Sequence, residues 1–455
     1  MALTSINPAT GMTIAVYEET TDHDLEEALG KSQSAFREWR QRSFPERADC
    51  LRRVAGLLHE DLAAHARLIT TEMGKPILQA RAEVEKCSSV LDYYATHGEA
   101  FLADEVPVGA GGGRAIVAYQ PIGLVLAVMP WNYPFWQVFR AAAPALMAGN
   151  VMVLKHASNV TGCALEIERI FSAAGFPDGV FQTLRIGSSR VGPLIRDPRI
   201  RGVTLTGSTE VGRRIGEVAG RALKTCVLEL GGSDPYLILK DADLDRAVAL
   251  TVQGRLNNNG QSCIAVKRLI VEAPILPEFR KRYIEATEGV RMGDPLDESF
   301  SLGPLARQDL RDELHAQVIT SRKQGARLLL GGTVPTGPGW YYPATVLGDV
   351  RPGMVAYEEE LFGPVASIIE AGDAEDGVRI ANDSRFGLGG GIFSEDRDKA
   401  VALARRIETG AVFINDFVKS HPALPFGGVK DSGFGRELGR PGIRAFTNMQ
   451  TISVS

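Results

Sequence analysis

From residue 122 onward the chain alternates short, wholly apolar runs with longer segments of helical period. The first runs read IGLVLAVM at 122–129, NVMVLK at 150–155, GVFQTL at 179–184 and GVTLTG at 202–207. Helical stretches at 134–147 and 159–173 separate them. A strand without polar alternation is buried on both faces, and connections of this length let successive strands run parallel. The rhythm therefore predicts an open parallel sheet covered by helices on both sides. It resumes between Asp234 and Phe426 with PYLILK, KRLIVE, VASIIEA, GGGIFSE and GAVFIND, interrupted by helical stretches at 243–257 and 277–287. A second α/β unit with its own sheet is expected there. Three amphipathic helical stretches between Asp24 and Gly98 precede both, punctuated by Pro45 and Gly74-Lys75-Pro76. A Gly-rich turn at Gly109–Gly113 divides them from the first strands. Two β-prone pieces, 114–119 and the terminal MQTISVS, find no place in either unit. Exposed edge strands favour pairing between chains, so they are read as an oligomerisation arm.

Composition excludes several functions. At 455 residues the chain exceeds one ordinary core. A net charge of -5 with interspersed signs leaves no basic footprint for nucleic acid. The longest apolar run, 122–129, is far short of the roughly 20 residues a membrane helix needs. The first residues show no secretory signal, and five scattered cysteines fit a reducing compartment, so a cytoplasmic protein is expected. Seven histidines form no ligand pattern, and no metal site is expected.

Five motifs carry chemistry. Pro130-Trp131-Asn132-Tyr133-Pro134 follows the first apolar strand, where open α/β sheets place ligands, and an Asn amide there can donate to an oxyanion. Lys155 ends the next strand, where it could hold ribose hydroxyls or a phosphate. Gly207-Ser208-Thr209-Glu210-Val211-Gly212 opens a helix after a strand and can hold phosphate on free backbone N–H groups; it is neither GxGxxG nor a P-loop. Glu229 stands before two glycines that let a ligand approach closely. Cys263 closes NNNGQSCI, and a thiol after such a turn, with a separate acid, suggests covalent catalysis. Taken singly, the first four each have a plainer structural explanation: a Pro-bounded turn, a surface lysine, a helix cap, a glycine turn. Their order is far more specific. Cys50, Cys87, Cys163 and Cys226 sit in apolar or helix-like surroundings and read as packing residues.

On these residues the chain resembles the aldehyde dehydrogenases. The matches are PWNYP at Pro130, LK at Leu154, GSTEVG at Gly207, ELGG at Glu229, GQSC at Gly260, EEELFGPV at Glu358 and PFGGVKDSGFGREL at Pro425, with INPATG and TEMGKP upstream. The resemblance implies two Rossmann-like α/β domains plus a small β oligomerisation arm. The dinucleotide-binding domain would take 1–104 and 122–231, the catalytic domain 232–431, and the arm 105–121 and 432–455. It implies NAD(P)-dependent oxidation of an aldehyde to its acid by a homodimer or homotetramer. Cys263 would attack the aldehyde, Asn132 and the Cys263 N–H would hold the oxyanion, and Glu229 would activate water on the thioester. Cofactor contacts would come from Met129, Pro130, Trp131, Lys155, Ser158, Gly207, Ser208, Leu230, Gly231, Glu360 and Phe362.

Ser158 stands where NAD-preferring relatives often carry a Glu, so NADP is the expected cofactor, with NAD possible. LKHASN, GQSCIAVKR and VKSHPALPFGG are closest to bacterial succinate-semialdehyde dehydrogenases. Within that resemblance Arg140 would pair with the distal carboxylate and Ser420 would lend a hydroxyl. Lying in a helix, Arg140 could instead form a structural ion pair, the minority reading. Two departures stand out. Asn257 replaces a second arginine six residues before the nucleophile, with Arg255 or Lys267 as candidate substitutes, and Ala265 replaces a cysteine that serves a redox switch in some members. The rivals are a broad-specificity or other aldehyde dehydrogenase, a CoA-acylating enzyme, which needs no Glu229, and a non-catalytic homologue, which would not need to keep Asn132, Glu229 and Cys263.

Overall fold

The computed structural model describes residues 2–107 and 114–454. The turn expected at Gly109–Gly113 lies outside the described residues. Two mostly parallel sheets dominate, and the chain builds them in sequence.

The first sheet has six strands, in the spatial order Gly433–Phe434, Thr225–Glu229, Ile200–Thr206, Leu124–Met129, Val151–His156 and Phe181–Thr183. All pair in parallel except Gly433–Phe434, which lies antiparallel to Thr225–Glu229. Every residue of Leu124–Met129 is buried, as its unbroken apolar run requires. From that strand the chain first winds one way, to Val151–His156 and Phe181–Thr183, then crosses to Ile200–Thr206 on the other side. The switch point falls between Leu124–Met129 and Ile200–Thr206, and open α/β sheets form their crevice outside the carboxyl ends of such a pair.

The second sheet has seven strands, ordered Arg327–Leu330, Thr345–Gly348, Val365–Ala371, Arg268–Glu272, Pro235–Ile238, Gly389–Phe393 and Ala411–Ile414. Only Arg327–Leu330 runs antiparallel. The five runs read from the sequence are all strands here; Arg327–Leu330 and Thr345–Gly348 were not anticipated.

The helical stretch expected from Glu46 to Ile69 is two helices, Phe44–Glu60 and Leu62–Met73, broken at Asp61 (φ −105°, ψ 23°). Glu60 and Asp61 stand at the amino end of the second helix, where the dipole favours acids and so a fresh start. The first helix starts with a capping box, Ser43 and Glu46 each satisfying the other's backbone. An amino-terminal hairpin, Ala2–Ile6 with Thr13–Glu18, was also not anticipated.

The two homeless β-prone pieces pair with each other. Arg114–Pro121 and Thr447–Val454 form an antiparallel ribbon in the register Tyr119↔Met449. Residues 433–446, assigned to the arm from the sequence, do not lie on that ribbon. Gly433 pairs with Glu229 at the edge of the first sheet, and the helix Gly439–Arg444 packs on Ile77–Phe101 and Trp136–Met147. Two-residue strands leave no periodic trace in a sequence, which is why the boundary was misplaced. Among the described residues no helix is long and apolar enough to cross a membrane.

Candidate active site

The nucleophile candidate is held by an unusual backbone. Asn258, Asn259 and Gly260 have φ of 57°, 56° and 72°, three successive left-handed residues. Asn is among the few side chains that accept this region, so NNNG is the local signal for the turn. Their side chains lock it. Asn258 Nδ2 donates to the Asn132 carbonyl at 2.8 Å and to the Gln261 carbonyl at 2.9 Å. Asn259 Nδ2 donates to Gly74 and Pro304 carbonyls at 2.8 and 2.9 Å, while its Oδ1 accepts from Gly303 N at 2.7 Å. At Gly260 a Cβ would lie 2.4 Å from Gly363 backbone, so only glycine fits.

Cys263 is part-exposed where two cavities meet. The first, about 510 Å³, is lined by Pro130, Trp131, Asn132, Gly207, Ser208, Leu230, Gly231, Glu360 and Phe362 among others. The second, about 370 Å³, has Arg140, Asn257, Phe417, Ser420 and Phe426 in its wall. Cys263 and Gln137 are their common lining. Dense surroundings push the thiol up to about 12, against the opposing pull of Lys267 and Arg140. Without ligands, therefore, the sulfur rests protonated.

Lys267 ties this loop to the first cavity. Its Nζ donates to the carbonyls of Ser262 and Cys263 at 2.8 and 2.6 Å and pairs with Glu360 Oε1 at 3.0 Å. Glu360 also accepts from Gly232 N at 3.1 Å. A Cβ at Gly231 would come within 2.4 Å of Glu360 Oε2, and one at Gly232 within 2.8 Å of the Cys263 carbonyl. The paired glycines after Glu229 thus admit the Glu360 carboxylate and the thiol loop. The Trp131 and Phe362 rings meet edge-on at 5.8 Å.

Asn132 is buried, with Nδ2 donating to the Gln261 carbonyl and Oδ1 accepting from Gln137 Nε2, both at 3.0 Å. The amide keeps a second N–H for the first cavity, which it lines. Ser208 caps the helix Thr209–Arg221, its Oγ accepting from Val211 N at 3.4 Å. Lys155 and Ser158 do not line the first cavity. They lie one strand over, at the end of Val151–His156 and just beyond it, Lys155 in register with Val128 and Ser158 exposed. Met129 is buried beneath them in the sheet.

Glu229 ends its strand fully enclosed, and neither carboxylate oxygen has a hydrogen-bond partner. Burial, then the neighbouring Glu437, pushes its carboxyl well above the usual range. Arg140 lines the second cavity, but its Nε contacts Glu437 Oε2 at 2.5 Å and its Nη2 donates to Thr206 Oγ1 at 3.1 Å. The ion pair raised as an alternative from the sequence is thus present.

The first cavity fits a dinucleotide. It joins a helix amino terminus, a glycine, Gly231, whose side-chain space Glu360 already fills, and an apolar pair of rings. This architecture is that of a dinucleotide-dependent α/β oxidoreductase. Comparison with known proteins narrows it: the chain belongs to the aldehyde dehydrogenase family, whose family profile matches residues 1–452. It is 50% identical over 448 residues to succinate semialdehyde dehydrogenase [NAD(P)+] Sad of Escherichia coli strain K12, covering 98% of this chain and 97% of that one. It is 46% identical over 457 residues, with full coverage of both, to succinate-semialdehyde dehydrogenase [NADP(+)] 1 of Mycobacterium tuberculosis strain H37Rv. Among solved structures, succinic semialdehyde dehydrogenase from Streptococcus pyogenes in complex with NADP+ superposes with a TM-score of 0.97 at 37% identity, covering both chains completely.

Several residues that build the site escaped the sequence reading: Gln261 and Gln137 brace Asn132, and Glu437 engages Arg140. Lys267, named from the sequence as a substitute carboxylate contact, instead bridges Glu360 to the thiol loop. Only the NNNG run had a local signal; the others are joined by tertiary contacts across the chain.

Proposed function

We propose that the protein oxidises succinate semialdehyde to succinate, with NADP preferred over NAD. The observation that carries this reading is Cys263 standing where a dinucleotide-sized cavity meets one that contains the cations Arg140 and Lys86 and the Ser420 hydroxyl. The two relatives named above are both succinate-semialdehyde dehydrogenases, which supports the same substrate.

In this scheme the Cys263 thiol gives its proton to solvent water, the sulfur adds to the aldehyde carbon as the C=O π bond opens, and the resulting oxyanion accepts from the free Asn132 N–H and the Cys263 backbone N–H. A bound nicotinamide would accept the hydride from the adduct carbon, leaving a thioester on Cys263. Glu360, fixed by Lys267 and Gly232 N, would hold the ribose side of that ring, and Phe362 with Trp131 would form its apolar wall. Glu229 then loses its proton to solvent, turns from its enclosed position and takes a proton from a water as that water adds to the thioester carbon. The C–S bond breaks, the acid leaves, and the proton on Glu229 passes to the sulfur to restore the thiol. Lys155 and Ser158 would face the adenosine end, where an exposed hydroxyl beside a lysine would accept a 2′-phosphate that a carboxylate would repel. Met129, Pro130, Gly207, Ser208, Leu230 and Gly231 would complete the cofactor's bed.

The first sheet with the amino-terminal helices would form the dinucleotide-binding domain and the second sheet the catalytic one. The ribbon of 114–121 and 447–454 would join copies into a dimer or tetramer; its Met449, Ile452 and Val454 are exposed apolar side chains. A cytoplasmic setting keeps the five unpaired cysteines reduced.

Reduced-cofactor absorbance across an aldehyde panel tests the assignment. Succinate semialdehyde with NADP should give the highest kcat/KM, in the absence of CoA. A better kcat/KM with butanal, or with NAD, refutes the corresponding half.

A further inference from the structure

The second cavity contains a cation to which the sequence reading gave no role. Lys86 lies on the helix Ile77–Phe101, half-buried, with its Nζ 4.2 Å from the Trp136 ring centroid and donating to Ser420 Oγ at 2.6 Å. No carboxylate pairs with it among the described residues. Glu83, one turn earlier, is already taken: it pairs with Lys75 and accepts from Phe135 N and Trp136 N.

The other candidate cations already have partners. Arg140 contacts Glu437 and donates to Thr206 Oγ1. Arg255 donates to the carbonyls of Gly260, Leu361 and Gly363, and Lys267 to those of Ser262 and Cys263; neither lines this cavity. Asn257, where some relatives would have an arginine, lines it without charge. Lys86 is thus the cation in this wall with neither a carboxylate nor a carbonyl on its nitrogen.

We propose that Lys86 binds the distal carboxylate of the substrate, with Ser420 as second donor. This rests on the carboxylate-bearing aldehyde of the preceding subsection and names the group that replaces the missing arginine. The Ser420 oxygen accepts from Lys86, which leaves its own O–H free to donate to a carboxylate oxygen. Three donors on one ammonium can serve both the serine and the ligand. Holding the far end of a four-carbon chain fixes the aldehyde near Cys263.

The site also titrates. Burial, helped by Arg140, brings Lys86 down to about 8. The groups around it are Arg140, Lys75, Cys87 and Glu83, together with Tyr133, Cys263 and Lys419 in the cavity wall. Above that pH the nitrogen loses its charge while the substrate carboxylate stays ionised. Recognition of the acid should therefore weaken as pH rises, whereas an uncharged aldehyde of equal length is indifferent to Lys86.

The readout is the ratio of kcat/KM for succinate semialdehyde to that for butanal, measured with NADP on the full-length enzyme. Lys86→Met should lower the ratio about 30-fold or more, mainly through KM, and Lys86→Arg should restore much of it. In the unaltered enzyme the ratio should fall between about pH 7 and about pH 9.5, and that fall should vanish in Lys86→Met. A high unaltered ratio that survives Lys86→Met within about threefold overturns the role of Lys86 alone. Equal losses on both aldehydes show a structural lysine and overturn it too. An unaltered ratio near one overturns the substrate assignment and Lys86's role together. If Lys86→Met does not fold, the pH profile of the unaltered ratio decides, and a flat profile rejects the proposal.

Discussion

The carboxyl edge of the first sheet and the amino edge of the second face the same cleft, and they supply it with different things. Loops leaving the first sheet bring backbone and helix ends: Pro130 to Asn132 after Leu124–Met129, Gly207 and Ser208 after Ile200–Thr206. Loops entering the second sheet bring reactive and charged side chains. Cys263 and Lys267 precede Arg268–Glu272, and Glu360 and Phe362 precede Val365–Ala371. The rule that ligands gather at carboxyl ends is therefore obeyed by one sheet only. At its own carboxyl edge the second sheet has a separate cavity of about 330 Å³, lined by Asp349, Arg351, Gly372 and Arg379 and lacking any thiol. A binding edge and a chemical edge can thus be set against each other, so that neither loop set must do both tasks.

Glu229 is the exception, because it ends a strand of the first sheet yet is assigned the water-activating step. Replacing it is the sharpest way to break the contrast. Glu229→Gln should let one reduced cofactor form per site and then slow turnover about 10³-fold, as seen in a rapid-mixing burst. A loss confined to cofactor KM would instead make the first sheet purely a binding element. The next largest effect belongs to the second sheet's loop. Asn259→Ala strands the carbonyls of Gly74 and Pro304 and the Gly303 N–H, and denaturant unfolding should show a loss of about 3 kcal/mol. An unchanged midpoint would mean that the left-handed turn holds itself. Smallest is Ser158→Glu at the first sheet's outer row, which should lower the NADP-to-NAD ratio of kcat/KM about 30-fold. Little change there would move cofactor choice to Lys155.

The sequence showed this division unevenly. Motifs that sit within a few residues of one strand end, such as GSTEVG and ELGG, could be placed on the correct edge from pattern alone. The thiol and its acid were legible for the same reason. Lys86 was not, because on an amphipathic helix it reads as an ordinary solvated charge, and its partner Ser420 is 334 residues away. Arg140 was expected at the distal carboxylate, and the Glu437 it contacts lies in a tail segment whose two-residue strands carry no period. Lys267 similarly reads as the start of a strand; only folding shows that its ammonium turns back onto the thiol loop.

The turn before Cys263 also sets a shelf life. An asparagine followed by glycine is the peptide pair most prone to ring closure and loss of ammonia, because the glycine nitrogen meets little hindrance. In the intact loop, Asn259 is held by two carbonyls and one N–H, and Gly260 is packed against Gly363. Each opening of the loop exposes that pair to water. Once converted to aspartate, residue 259 would present a carboxylate to two carbonyl oxygens and push the latch apart. The enzyme would then age at one bond, four residues from its sulfur, and substrates that hold the loop shut would preserve it in storage.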